Sequence, residues 1–488
     1  MSEALDVIRE GLRGTPYEGK LYLVGGVLRD RALGLPGSED VDFVLEGDAV
    51  ALAEFLFRKG ISDHHPVLYP RFGTAKLAVR GHDVELVAAR AESYESDSRK
   101  PSVVAATLRD DAFRRDFTIN TLMENIHTGE VLDLTGRAWE DLRAGVIRTP
   151  LDPHVTFFDD PLRMLRAVRF ACRYGFTIED RTWSAIIEMA GRLNLLGPEP
   201  PVVSAERIRD EIVKALGASG PALDQVHRSQ WTMVKGAAAG LELMRRAGLL
   251  KAFLPELLEM VGVTQTAWHL YDVWDHTLIA LSHAPPDASL EVRAAILFHD
   301  VGKPRTRTED EKGVHFYEHQ FVGAEMAREA LNRLRFTNDQ IRDVCALVGL
   351  HMRLGESRPE WTDAAIRRMI RAIHPYTGAL FQITACDMAA MRRDVPHPDL
   401  VSLRARMDRL NAEMNAASAK SPLDGVEIME ILGVAPGPVL RDAKEYLVNQ
   451  ILDGTLVEGD KDAASAILRK WFAERSGESV GMAAGAAG

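Results

Sequence analysis

Residues 24–43 read VGGVLRDRALGLPGSEDVDF. An apolar run closes on Gly25-Gly26, a short helical stretch follows, and Asp40 and Asp42 stand on the next strand. Residues i and i+2 of a strand point to one face, so these carboxylates can chelate one cation or bridge two. The glycine turn offers bare backbone N–H groups to phosphate. Paired carboxylates beside such a turn are what metal-dependent phosphoryl or nucleotidyl transfer requires. A DxD alone is common in surface turns; the whole spaced string is far more specific.

Outward from this string the chain reads as mixed α/β over residues 21–150. LYLVGG and VDFVLEG are strands, TAKLAVRG and HDVELVAAR form a hairpin around Gly81, and EVLDLTG ends another strand. From Phe157 the texture turns helical: DDPLRMLRAVRFACRYGF, SAERIRDEIVKAL and AAAGLELMRRAGLL carry apolar residues at helical spacing between Gly and Pro. Val273 to about Ala390 is helical and rich in histidine. PVLRDAKEYLVNQILDGTL and DAASAILRKWFAER make a final helical module, and SGESVGMAAGAAG reads as a flexible tail.

The 488 residues are roughly three domains' worth. At 46% hydrophobic and 27% charged, the chain is neither disordered nor fibrous. It has no run of about 18 apolar residues, and its start is acidic where a secretory leader is basic, so a soluble cytoplasmic protein without membrane partners is expected. Cys172, Cys345 and Cys386 lack CxxC spacing and are expected reduced and buried. A net charge of −12 counts against nucleic acid in general. Arginine is locally dense, however: Arg163, Arg166, Arg169 and Arg173 share one helical face.

The 24–43 string resembles the nucleotidyltransferase motif of the DNA polymerase beta superfamily, in particular class II tRNA nucleotidyltransferases and bacterial poly(A) polymerases. Further motifs follow in order. FRRDFTIN (113–120) resembles the ribose-recognition motif, DLTGRAWEDLRAGVIRT (133–149) the hinge, DDPLRMLRAVRFACRYGF (159–176) the base-recognition motif, and SAERIRDEI (204–212) the closing helix. The resemblance implies a five-stranded-type head in which Asp40 and Asp42 hold two Mg²⁺ ions, with Glu85 as a third carboxylate. Gly25, Gly26 and Arg29 would meet the triphosphate, with Asp30 holding the turn. Arg114 and Arg115 would bind phosphate, and Asp116, supported by Asn120, the ribose.

Asp160 and Arg163, three apart, are expected on one helix face. A carboxylate accepting from an exocyclic amine and a guanidinium donating to a ring nitrogen would accept CTP and ATP and reject UTP and GTP. Asp159 stands where the family usually has Glu, keeping the charge with a shorter reach. Arg166 and Arg169 continue the face toward core or RNA phosphate. The polar stretch between Glu85 and Arg114 matches the position of a flexible segment in full CCA adders that is shortened in CC-only enzymes.

The second half carries His276, FHDVGKP with His299 and Asp300, then His315, His319, His351, and Asp387 in ITACDMAA. Such N and O ligands from several helices can close around a divalent transition metal. The set resembles the HD phosphohydrolase superfamily, with His276, His299, Asp300 and Asp387 as ligands, His319 and His351 adding a second metal or phosphate, and Lys303 meeting phosphate. Mn²⁺, Ni²⁺, Co²⁺ or Mg²⁺ would serve.

The expected architecture is an α/β nucleotidyltransferase head (1–150), an all-α neck and body (151–262), an all-α HD domain (263–395), a helical C-terminal module (396–476) that would hold the tRNA elbow, and the tail (477–488). The function implied is addition of CCA to tRNA 3′ ends from CTP and ATP, with HD trimming of RNA ends as a further activity the resemblance implies. The alternatives are a CC-only or A-only adder, a poly(A) polymerase, or, from another class, an HD phosphohydrolase with a binding-only head. A pure RNA-binding protein needs neither ligand set. Oligomeric state is left open.

Overall fold

The computed structural model describes residues 2–36, 41–93, 102–197, 200–223, 234–266, 268–311, 313–418, 421–452, 455–457 and 459–476. Asp40, much of the polar stretch after Glu85, and the Gly/Ala tail lie outside the described residues. The chain divides into two compact units, Met1–Met352 with Gly378–Pro396, and Arg353–Thr377 with His397–Gly488.

The first unit opens with α1 (Ser2–Leu12), β1 (Leu21–Val24), α2 (Gly26–Ala32), β2 (Val41–Leu45), α3 (Ala49–Arg58), β3 (Val67–Tyr69), β4 (Thr74–Val79) and β5 (His82–Ala88). A separate two-stranded pair, β6 (Arg90–Ser93) and β7 (Ser102–Ala105), precedes α4 (Leu108–Arg114), β8 (Met123–Asn125), β9 (Val131–Leu132) and α5 (Ala138–Ala144). The main sheet has seven strands, in the order β3-β4-β5-β2-β1-β8-β9, where five were expected. β3 and β9, only three and two residues long, are edge additions that a periodicity reading passes over. β2 runs parallel to β5 and antiparallel to β1. Being central, β2 buries Val41, Phe43, Val44 and Leu45, and Asp42 is its one exposed residue. An exposed carboxylate on so enclosed a strand is placed for chemistry, because packing would favour an apolar side chain. The hairpin turn between β4 and β5 has Arg80 and Gly81 at φ 53° and 74°, the left-handed pair that matches strand twist.

The neck contains β10 (Val146–Ile147), α6 (Pro153–Asp159), α7 (Leu162–Tyr174), β11 (Thr177–Ile178), α8 (Asp180–Met189), α9 (Ala205–Leu216) and α10 (Gly236–Arg246). The GAAAG start of α10 lets it press on α7: a Cβ on Gly240 would stand 3.1 Å from Cys172 Sγ. Beyond it come α11 (Val273–Ser282), α12 (Leu290–Phe298), α13 (Lys303–Thr306), the hairpin β12 (Arg307–Asp310) and β13 (Gly313–Phe316), α14 (His319–Arg333), α15 (Asn338–Leu350) and α16 (Met352–Gly355). Asp272, Ser289 and Thr337 cap α11, α12 and α15, each accepting a backbone N–H of the first turn. The β12–β13 hairpin departs from the all-α expectation; neither strand has a buried face to mark it in the sequence.

The second unit holds α17 (Asp363–Ile373), and α18 (Thr377–Ala390) then returns the chain to the first. α19 (Leu400–Ser418), α20 (Gly425–Leu432), α21 (Pro438–Leu452) and α22 (Lys461–Ser476) complete it around Leu423, Ile428, Leu447 and Leu468. Among the described residues no helix is long and apolar enough to cross a membrane.

Candidate active site and metal centre

Asp42, Glu85 and Lys76 form a row across β2, β5 and β4, each directly opposite the next in register. Directly opposed residues share a sheet face, so Asp42 and Glu85 present their carboxylates together. Lys76 Nζ lies 3.4 Å from Glu85 Oε2. The Glu85 charge is the main cause of a raised Lys76 pKa, and Asp42 adds to it. A cleft of about 460 Å³ opens on this row, with His64, His65 and Asp83 on its walls.

Gly25 sits against the row at φ 77°, where an L side chain is strained. A Cβ there would stand 3.6 Å from Asp42 Oδ2 and 3.9 Å from Arg115 Nη1. The glycine turn, Asp42 and Arg115 therefore meet. Arg114 and Arg115 both fork onto Asp111, a carboxylate with no exposure, at 2.6 and 2.9 Å. Asp111 was not foreseen, although its spacing of three and four residues from two arginines was there to read.

Three residues are placed or partnered differently from expectation. Arg29, only 6% exposed, gives Nη1 to Asn120 at 2.7 Å and Nε to Asp30 at 2.8 Å. Its guanidinium lies 5.0 and 4.9 Å from the Phe170 and Tyr174 ring centroids, so it clamps head to neck and has no fork left for a triphosphate. Asp30 also accepts from the Tyr174 hydroxyl at 3.0 Å, and Gly26 passes directly beside Arg29 Nη2. Asp116 spends Oδ1 on the Phe117 N–H and Asn120 Nδ2 and Oδ2 on Arg166, leaving little for ribose. Burial would raise its pKa, but the Arg166 charge and the Asn120 bond hold the carboxyl far below the usual range.

The third is Asp160. The helix α7 begins only at Leu162, after Pro161, so Asp160 stands outside it in extended backbone and accepts from the Leu162 N–H. Its Oδ2 pairs with Arg207 Nη2 at 2.7 Å, and Arg163 instead donates to the Arg114 carbonyl at 2.9 Å. Arg207, from the SAERIRDEI segment, thus joins the Asp160–Arg163 corner unforeseen. Asp159 ends α6, half-buried beside it. Arg169 is buried on Glu211 at 2.5 Å, a core pairing, while Arg173 stays exposed.

In the second half, Asp300 is the hub. Its Oδ2 faces His276 Nε2 at 3.6 Å and His299 Nε2 at 3.2 Å; its Oδ1 faces His319 Nε2 at 3.4 Å and His351 Nε2 at 3.9 Å. Asp387 Oδ1 closes the first half at 2.9 Å from His276 Nε2. Lys303 Nζ stands 2.7 Å from Asp300 and 2.6 Å from Gln265. His315 stays apart, on Asp310 at 2.9 Å.

The tautomers argue for cations. His299, His319 and His351 each hold Nδ1 within 2.7–2.8 Å of the carbonyl three residues earlier. A carbonyl only accepts, so Nδ1 carries the proton and a neutral ring offers its Nε2 lone pair. Nε2 of His276, whose buried Nδ1 makes no hydrogen bond with a described residue, stands 3.3 Å from Nε2 of His299 and can donate to it, but the Nε2 lone pairs of His319 and His351 face each other at 3.3 Å. Two lone pairs so close repel unless a proton or a metal lies between them. Burial pushes His351 down to about 3, so a proton is a poor occupant there. Both groups, His276–His299–Asp300 and Asp300–His319–His351, keep their donor atoms within 4.8 Å. The donor set of imidazole and carboxylate suits divalent cations, which His276, His299 and Asp300 on one side and Asp300, His319 and His351 on the other would hold.

An α/β head with carboxylates beside a glycine turn and paired arginines, in a chain that also carries a histidine–aspartate cluster able to hold metal, defines an enzyme of nucleotide or RNA chemistry. Comparison with known proteins narrows the class. Residues 21–148 match the poly A polymerase head domain, 175–223 the probable RNA and SrmB-binding site of polymerase A, and 266–412 the HD domain. These head and HD domains imply dependence on divalent metal. A CC-adding tRNA nucleotidyltransferase of Thermus thermophilus is 32% identical over 94% of this chain and 95% of its own. An A-adding tRNA nucleotidyltransferase of Deinococcus radiodurans is 32% identical over 76% and 81%. A Bacillus stearothermophilus CCA-adding enzyme, solved with CTP, shares the fold at TM-score 0.57 and 22% identity, over 98% of this chain and 99% of that one. The chain belongs to the tRNA nucleotidyltransferase family.

Proposed function

We propose that this chain adds C, C and A to the 3′ end of tRNA, drawing on CTP and ATP. The observation that carries the reading is the Asp42–Glu85 pair facing the Gly25 turn and Arg115. Asp40 and Asp42, with Glu85, would hold Mg²⁺, which when bound lowers the cost of deprotonating the primer 3′-hydroxyl and neutralises the triphosphate. The chain's own part is positional. Arg115 and the bare Gly25 backbone hold the triphosphate, and Asp111 aims Arg114 and Arg115. Asp160, oriented by Arg207, and Arg163 read the amine and ring nitrogen shared by cytosine and adenine, so the protein serves as template.

The test is a tRNA transcript lacking CCA, incubated with CTP, ATP or both. Growth by three nucleotides only with both supports the reading; growth limited to CC or to A makes the chain a partial adder like its two bacterial relatives, and long A tails a poly(A) polymerase. Asp42→Ala removes a metal ligand worth several kcal/mol, about a thousandfold in rate.

A second activity is favoured by the Asp300 bridge. The HD centre would act as a phosphohydrolase on RNA or nucleotide ends, with Mn²⁺, Ni²⁺, Co²⁺ or Mg²⁺ polarising the phosphate and Lys303 holding it. In this reading transfer belongs to 1–150, base and RNA recognition to 151–262, hydrolysis to 263–395 and the tRNA elbow to 396–476. Three free, buried cysteines accord with the cytoplasm.

A further inference from the structure

The row of Asp42, Glu85 and Lys76 continues past Lys76 to the edge of the sheet. Val67 of β3 stands directly opposite Lys76, and Tyr69, two residues on, shares its face. This edge is open: Val67 and Tyr69 are 54% and 42% exposed, and the Lys76 side chain is 58% exposed. Val67, Lys76, His64 and His65 line the cleft over the row here. Together they make a ledge on the catalytic face of the head.

The side of the row on which the ledge lies decides what it can hold. β2 runs between β5 and β1. The Gly25 turn, which follows β1, and Arg115 approach Asp42 from the β1 side, whereas the ledge lies beyond Glu85, on β4 and β3. In an in-line displacement the attacking and leaving oxygens stand on opposite sides of the phosphorus. A triphosphate held at Gly25 and Arg115 sends its pyrophosphate toward β1, so the attacking 3′-hydroxyl comes over β5. The strand behind that hydroxyl then runs over β4 and β3. Three strand spacings of about 4.8 Å put β3 roughly 14 Å from Asp42, within reach of the primer's last nucleotides.

The ledge has the chemistry of a single-strand contact. Tyr69 presents an aromatic ring, on which any base can stack. The Lys76 ammonium, whose ion pair to Glu85 is long at 3.4 Å, can turn to a phosphate. Glu85 raises the Lys76 pKa most, and Tyr69 and Asp42 add to the rise, so ring, ammonium and carboxylates share one neighbourhood. Asp83, exposed and two residues before Glu85 on the same face, has no ion pair or hydrogen bond with a described residue. Its carboxylate can accept from a ribose hydroxyl, which RNA supplies and DNA lacks at the 2′ position. In a chain of net charge −12, a cation and a stacking ring set together beside a transfer centre fit the end of an RNA strand.

We propose that Tyr69 and Lys76 position the 3′ end of the RNA primer, Tyr69 by stacking on its terminal base and Lys76 by meeting the phosphate behind the terminal nucleotide. The inference rests on the nucleotidyl-transfer reading and adds to it the path of the primer. Stacking does not read base identity. The same ledge therefore receives the tRNA end before the first C and after each C is joined.

The experiment uses the full chain in EDTA, where nothing is transferred, and a tRNA lacking CCA whose 3′-terminal base is 2-aminopurine. Wild type is expected to quench the probe on binding. Tyr69→Ala should abolish the quench and weaken binding about tenfold, the worth of one base stack, while Tyr69→Phe keeps both. Lys76→Ala should lower the slope of log affinity against log salt by about 0.7, the share of one single-strand phosphate, and Lys76→Arg should keep the wild-type slope. A probe that wild type leaves unquenched overturns the proposal, as does a quench that survives Tyr69→Ala with the salt slope of Lys76→Ala unchanged. Loss of CTP or ATP affinity in Tyr69→Ala, with the probe still quenched, gives the ledge to the incoming nucleotide and overturns it too. Extension of unlabelled tRNA by wild type with Mg²⁺, CTP and ATP is scored alongside. Its absence overturns the transfer reading and the ledge with it; its presence beside any of the adverse binding results removes the ledge alone.

Discussion

Arg166 reaches Asp116 across fifty residues of sequence, its Nη2 2.6 Å from Oδ2, and so fastens the head's RRDFT turn to the neck helix α7. Asp116 in turn holds Asn120, which holds Arg29, which lies against Phe170 and Tyr174 of the same helix. The loop of contacts leaves from α7 and returns to it. Its effect is to fix the Gly25–Gly26 turn relative to the Asp160–Arg163 corner.

Removing one member should cost more than the pair contributes, because the other charge remains buried. Arg166→Ala leaves the Asp116 carboxylate with Asn120 and a backbone N–H but without its paired cation, and the expected loss is about 3 kcal/mol. A urea midpoint checks it. A midpoint within about 0.5 kcal/mol of wild type, the range of ordinary surface substitutions, would show that the pair does not hold the junction.

Glu242 makes a pH prediction with a definite sign. It accepts from Arg245 and Arg246 at 2.8 Å and from Trp274 Nε1 at 3.0 Å, joining α10 to α11. Burial opposes the charge, but these bonds prevail and bring its pKa from 4.5 to about 2. A carboxyl depressed on folding stabilises above its unfolded pKa and loses that contribution as pH falls through the folded one. Between pH 5 and pH 2 the wild type should lose on the order of 2–3 kcal/mol that Glu242→Gln never had. The stability gap between the two proteins, wide at pH 7, should close by pH 2; a constant gap would contradict the assignment.

How far the sequence carried can be judged at particular residues. The order of motifs was legible because each chemical group needs its neighbours at fixed local spacing: Asp42 beside Gly25, His299 beside Asp300. What escaped is what only packing decides. Asp160 is expected on a helix face with Arg163, but the helix begins only at Leu162, behind its cap Pro161, and leaves Asp160 outside. Arg207 and Glu211 arrive from α9 through tertiary contact, with no local signature. Arg29 looked like a phosphate ligand because it follows a glycine turn; the two aromatic rings that enclose it lie about 140 residues further on. The Asp300 bridge between two histidine pairs was likewise invisible to spacing.

Base selection should depend on Arg207 as much as on Arg163. Arg207→Ala releases Asp160 from its 2.7 Å partner, so the carboxylate no longer stands fixed for an exocyclic amine. Discrimination of CTP and ATP against UTP and GTP should fall about ten- to hundredfold, the range expected when a polar recognition group loses its orientation. Single-nucleotide incorporation with each of the four triphosphates measures it. Equal loss of rate with all four, at unchanged discrimination, would assign Arg207 to folding alone.

The glycine of HDVGKP sets up the last prediction. Gly302 has an ordinary φ of −79°, so its backbone does not require glycine. Space does: a Cβ there would stand 2.2 Å from the His319 carbonyl oxygen and 2.6 Å from the Gly323 nitrogen, both main-chain atoms. The turn after Asp300 therefore lies directly on the start of α14, and this contact sets how far His319 stands from Asp300. Gly302→Ala must push α14 away, at a cost of about 1–3 kcal/mol for overpacking. The half of the centre made by His319 and His351 should open, while His276, His299 and Asp387, on other helices, stay in place. Metal titration of the purified variant should find one strongly bound ion against an expected two for wild type, and tRNA extension by the head should be unaffected. Retention of both ions would mean that α14 yields without moving His319, and that the glycine is there for another reason.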